Sequence, residues 1–169
     1  MLTDERIREA SGNIKNYLKE GLLKKVEPKE GMIRILMNNS EESLEELDRI
    51  RSPLWRIVVS YYSMFYISNA VLLKNRYKVG DRIAHKITAD ALIVFIRHRL
   101  KEEILESYED VGKDALEGIR ADEMIESFDL ERRKRGIFQY TTTEKAKESK
   151  AKTSEKRAKE FIFEMKRLL

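Results

Sequence analysis

The stretch from Ser52 to Arg76, SPLWRIVVSYYSMFYISNAVLLKNR, is apolar almost all the way round a helix and carries Trp55, Tyr61, Tyr62, Phe65 and Tyr66. A helix hydrophobic on every face has to be enclosed, either by other helices or by lipid. Ser60, Ser63, Ser68 and Asn69 lie inside the run, with Arg56 and Lys74 near its ends. That polar content suits a core helix better than a membrane span. The start of the chain, MLTDERIREA, is charged from residue 4 onward and does not read as a signal peptide. No membrane association and a cytoplasmic setting are the expectations.

The rest of the chain supplies what would wrap such a helix. Charged residues make up 38% of the 169, and there are only seven Gly and two Pro. Aliphatic residues recur at three- and four-residue spacing, the mark of helices with one buried face. The expected fold class is all-α, an up-and-down bundle of about five to six helices. A first helix runs from Asp4 to Glu20, capped by Thr3 and stopped by Gly21, with Ile7, Ala10, Ile14 and Tyr17/Leu18 inward. Pro28 opens a second, about Lys29 to Ile50, with Met32/Ile33, Leu36/Met37, Leu44 and Leu47 inward and a kink or split expected at Asn38–Ser40. Ser52-Pro53 opens the central helix, which ends near Lys74.

A loop over 75–82 precedes a fourth helix, about Ile83 to Glu106. Gly112 and Gly118 punctuate a short linker. A fifth helix spans Ala121 to about Arg135, with Met124, Ile125 and Phe128 inward. A sixth spans Thr143 to Leu169; its stripe is small at first (Ala151, Ser154, Ala158) and large later (Phe161/Ile162, Met165, Leu168). Its first half is expected to dock loosely, with Glu155 and Lys159 paired on the surface. No β-alternation of useful length is present. Residues 1–26 read as an extra N-terminal helix packed on a bundle formed by 27–169.

Several chemistries are poorly supported. There is no Cys, hence no disulfide, thiolate ligand or cysteine nucleophile. The glycines form no phosphate-binding loop. His85 and His98 make no recognised metal pair, and no metal or cofactor is expected. Glu41/Glu42, Glu45/Glu46 and Glu102/Glu103 fall on polar faces.

Charge is uneven. Residues 131–169 hold 13 Lys/Arg against 6 Asp/Glu, a net of +7, while residues 1–130 hold 21 against 24, a net of −3. The centre of that asymmetry is LERRKRGIFQYTTT, Leu130 to Thr143. Arg132, Arg133, Lys134 and Arg135 end a helix, where cations also suit the negative end of the dipole. Gln139 and Tyr140 follow at once. Guanidinium groups beside amide and phenol are a plausible phosphate-and-base surface for RNA or a nucleotide. His85, in DRIAHK, is a helix-end residue beside Arg82 and Lys86; His98, in IRHR, continues an apolar stripe.

Three strings in this order resemble HEPN domains: SYYSMFYISNAVLLK in the central helix, YKVGDRIAHK after it, and the late Arg-to-Tyr segment leading into AKEFIFEMKRLL. The resemblance covers about Met32 to Leu169. It implies a helical bundle, commonly a homodimer, that handles nucleotides or RNA and often works with a nucleotidyltransferase partner in toxin–antitoxin modules. Ribonuclease members of that family carry an Arg, four to six residues and a His, with the arginines facing each other across the dimer. Here four residues separate Arg135 from Tyr140, and six separate Arg133 from Tyr140. The family His is thus replaced by Tyr140. A phenol with a pKa of about 10 is a poor general base. The catalytic set expected under this resemblance is Arg135 on phosphate, with Tyr140 or His85 handling a proton. A non-catalytic helical interaction protein that binds a protein partner is the alternative.

Overall fold

In a computed structural model the described residues are 2–132 and 140–169, with side chains described for 2–119 and 147–169. Six α-helices account for most of them: α1 (Asp4–Glu20), α2 (Glu30–Glu46), α3 (Pro53–Lys74), α4 (Ala84–Ala91), α5 (Glu102–Arg132) and α6 (Tyr140–Lys166). The all-α bundle expected from the periodicity is the fold observed.

Local signals set the first helices. Thr3 accepts the Arg6 amide at the start of α1, and Gly21 closes it at φ 72°, a left-handed backbone that costs glycine nothing. Ser52 caps α3, with Pro53 in the first turn. α2 runs unbroken through Asn38–Ser40, because Ser40 is buried and its hydroxyl donates to the Ser63 carbonyl at 2.7 Å. Within α2 Ile33 is buried and Leu36, Met37 and Leu44 pack partly buried on the core, while Met32, expected beside Ile33, faces solvent.

α3 is the centre. Twelve of its residues are buried, under α2, α4, α5 and α6. By length and composition it could cross a membrane, but two thirds of its apolar window is enclosed by the protein's own helices. Two of its serines fit that interior by bonding backward to helix carbonyls: Ser63 to Ser60 and Ser68 to Met64, each at 2.7 Å.

Three features depart from the sequence reading. Leu23–Lys25 and Tyr77–Val79 pair as a two-stranded antiparallel ribbon, β1 and β2, with Lys24 opposite Lys78. Three-residue strands are too short to display alternation. The fourth helix stops early: a π-helical turn at Leu92–Ile96 and a 3-10 turn at Arg97–Arg99 end it, leaving His98 exposed. The linker and fifth helix are instead one 31-residue helix, α5. The inward positions expected for Met124, Ile125 and Phe128 lie outside the described side chains.

Gly112 does not interrupt α5; it lets Tyr61 in. A Cβ there would stand 2.8 Å from Tyr61 Cε2 and 3.2 Å from Cζ. The Tyr61 ring has nowhere to go, being buried against Tyr108 with ring centres 5.5 Å apart. At Gly118 a Cβ would meet only the tip of the Leu54 side chain, which can swing aside. Gly112→Ala should therefore destabilise: overpacking of about 1–3 kcal/mol exceeds the roughly 1 kcal/mol of helix propensity gained. Gly118→Ala should be neutral or slightly stabilising. Urea midpoints measure both, and equal shifts would contradict the packing described.

The first described half of α6 docks closely, not loosely. Ala151 and Ser154 are buried, and Arg56 of α3 spans Glu148 at 2.8 Å and Glu155 at 2.5 Å. Small residues here let α6 approach α3, and Glu155 serves Arg56 where a surface pair with Lys159 was expected.

Candidate functional site

α5 carries the backbone as far as Arg132, the first residue of the basic run. Gly112 packs on Tyr61 and Gly118 on Leu54, in the first turn of α3. From Gly118 the helix continues to Arg132, about 21 Å further at 1.5 Å per residue. Arg132 closes α5 and Tyr140 opens α6; their side chains, and all of Arg133, Lys134, Arg135 and Gln139, lie outside the described residues.

His85 lies elsewhere. As the second residue of α4, it meets α3 at the level of Tyr61, whereas Arg132 is about 30 Å along α5 from Gly112. Within one chain the structure does not bring His85 to the end of α5. His85 is instead set in rings: Phe65 at 4.6 Å, Tyr61 at 5.3 Å and Tyr62 at 5.6 Å between centres. The turn delivering it is strained, since Ile83 caps α4 at φ 47°. A β-branched residue rarely adopts that left-handed backbone.

A hydrogen-bond chain fixes the imidazole. His85 Nδ1 is 3.1 Å from the Tyr61 hydroxyl, which is 3.5 Å from the Tyr108 hydroxyl. Burial pushes the Tyr61 phenol up to about 12 and raises Tyr108 well above its usual value, so both stay protonated. Because Tyr108 is fully enclosed and has Tyr61 as its acceptor, we assign the Tyr61 proton to the contact with Nδ1. The imidazole proton then sits on Nε2. With that assignment Nε2–H can donate to an acceptor such as a phosphate oxygen or a base carbonyl.

Burial also lowers the His85 pKa. The unfolded chain then binds this proton more readily than the folded one, so stability rises with pH across the window. The contribution is complete above about pH 6.5 and is lost as pH falls below it. Between about pH 7 and 5 wild type should lose more stability than His85→Gln. Parallel loss in the two would mean that water hydrates the imidazole freely.

A second polar centre gave no signal in the sequence. Arg6 of α1 reaches Asp90 Oδ1 of α4 at 2.7 Å and Glu109 Oε1 of α5 at 2.7 Å through Nη2 and 2.9 Å through Nε. Tyr17 and Asn13 each donate to Asp90 Oδ2 at 3.0 Å. Burial raises the Tyr17 pKa, and the Asp90 carboxylate raises it further. Oδ2 takes both neutral donors and Oδ1 the Arg6 ion pair, all from α1, so this centre ties α1 to α4. No three His, Asp or Glu among the described residues are grouped to hold a metal. A cleft of about 540 Å³ lies beside the ribbon, lined by Lys25, Glu27, Asn75 and Arg76, away from His85. No protein-family model, curated protein or solved structure matches this chain.

Proposed function

We propose that the chain is a HEPN-like nucleotide- or RNA-binding protein whose polyanion contact is the run Arg132–Arg135 with Gln139 and Tyr140. What supports the reading is the sequence, in which four consecutive cations, Arg132 to Arg135, precede Gln139 and Tyr140; α5 ends on the first of them, about 21 Å along the helix from Gly118. They stand in the quarter of the chain with net charge +7. Arg135 is assigned to phosphate oxygens, and Gln139 and Tyr140 to a base. Binding, rather than cleavage, is the activity proposed, because a phenol is a poor general base near neutral pH. A nucleotidyltransferase partner belongs to the same reading through the family resemblance.

Salt dependence tests it. Four phosphate contacts on single-stranded RNA give a log–log slope near −3, so raising salt fourfold weakens binding by about 50-fold. A slope shallower than about −1, or no binding at low salt, would overturn the proposal.

A further inference from the structure

α1 and α3 stop in the same way and run into the same ribbon. Gly21, after α1, has φ 72° and leads to β1; Arg76, just past the α3 cap Asn75, has φ 71° and leads to β2. Glycine is the usual residue at a left-handed helix stop, because a Cβ is strained there. The arginine at the second stop carries a local cost that glycine would avoid. It also lines the cleft of about 540 Å³ beside the ribbon, with Lys25, Glu27 and Asn75.

Cations gather round that cleft from three separate segments. Residues 24–27, 75–78 and 97–99 hold six Lys/Arg against one carboxylate, Glu27, a net of +5. Residues 1–130 sum to −3, so the remainder of that stretch stands at −8 and the concentration is local. The ribbon joins the first two segments and sets Lys24 directly opposite Lys78. Arg99 Nη1 donates to Asn75 Oδ1 at 3.2 Å, which ties the 3-10 turn to the same place.

This charge is poorly compensated. Like charges directly opposite one another destabilise a strand pair. Lys24, Lys25, Lys78 and Arg99 are exposed and form no ion pair among the described residues. Glu27 is used on Arg76, but both side chains of that pair are mostly in water, where an ion pair contributes little. Lysines guard strand edges against pairing with other strands. That duty requires no arginine in left-handed backbone beside a cleft.

We infer that the cleft binds a compact oligophosphate, with Arg76, Lys25 and Arg99 on its phosphate oxygens and Glu27 as the internal carboxylate it displaces. The volume is that of a small-ligand site. Cations from three segments match several negative charges held close together, which a single phosphate does not supply. Tyr77, which also lines the cleft, has one face stacked on Phe95 at 3.9 Å, so recognition rests on charge and not on a base. The inference depends neither on the basic run at Arg132–Arg135 nor on the HEPN-like reading.

Calorimetric titration of the full chain with tripolyphosphate at about 0.15 M salt tests it. Tripolyphosphate should bind one to one, at least about 10-fold tighter than inorganic phosphate. Lys25→Gln and Arg76→Gln, each folded by circular dichroism, should weaken it about 10-fold, the loss of one charge-assisted contact. Glu27→Gln should tighten it about 3-fold, since the ligand no longer competes for Arg76. Arg76→Gly separates binding from structure: its unfolding midpoint should hold or rise as the left-handed strain is relieved, while its affinity falls.

No binding by the folded chain overturns the inference. So does an affinity that Lys25→Gln and Arg76→Gln leave unchanged, which would assign the anion to another part of the chain. Weaker binding by Glu27→Gln overturns the role given to that carboxylate. An Arg76→Gly chain that melts earlier yet binds as before makes the arginine structural and overturns its role as a ligand contact. The titration contains no RNA, so its failure leaves the salt-slope test of RNA binding standing, and the reverse holds as well.

Discussion

Asp90→Ala is expected to cost about 3–5 kcal/mol and to lower the unfolding midpoint by about 6–20 °C for a chain of this size. Asp90 is fully buried, and three donors from α1 converge on it: Arg6 at 2.7 Å, and Tyr17 and Asn13 at 3.0 Å. Alanine leaves a partly buried guanidinium short of one of its two carboxylates. It also strands a buried phenol that then has no acceptor. Because such domains are stable by only about 5–15 kcal/mol, the loss is a large share of the total. Asp90→Asn should lose less, since an amide oxygen still accepts from Tyr17. Urea unfolding with thermal melting reads both variants. A loss below about 1 kcal/mol for Asp90→Ala would show that water replaces the carboxylate, and the lock between α1 and α4 would have to be abandoned.

The second large effect is on binding. Changing Arg132, Arg133, Lys134 and Arg135 together to alanine should weaken single-stranded RNA binding by about 100-fold at moderate salt and remove about 3 units of salt slope. The loss should be alike for unrelated sequences, because phosphate contacts carry no base information. Thermal stability should change little, as cations at a helix C-terminus contribute only about 0.3–1 kcal/mol each. Unaltered affinity and slope in a folded variant would move the polyanion site elsewhere.

Much of the architecture was legible from short-range signals. Thr3 and Gly21 bound α1, and Ser52-Pro53 opens α3, because caps are satisfied by neighbours within one turn. The inward stripe of α6 from Ala151 to Met165 is buried as its spacing implied. Signals failed where a distant group reverses a local preference. Gly112 and Gly118 look like helix breakers, yet α5 runs through both because Tyr61 and Leu54 use the missing Cβ space. Met32 and Ile33 were equivalent in pattern; only the position of α3 under Ile33 separates them. The basic run was visible in composition, whereas the distance separating its first residue, Arg132, from His85 follows from the continuity of α5.

The amino-acid order by itself determined the helical class, the burial of α3 and the charge gradient along the chain, since periodicity, capping and net charge act within a few residues of their source. Tertiary structure alone decided that His85 meets Tyr61, that Arg6 finds Asp90 across 84 positions, and that one aromatic face of α3 stays uncovered. Those pairings depend on how helices far apart in the chain pack, and desolvation at the contact, not local propensity, selects them.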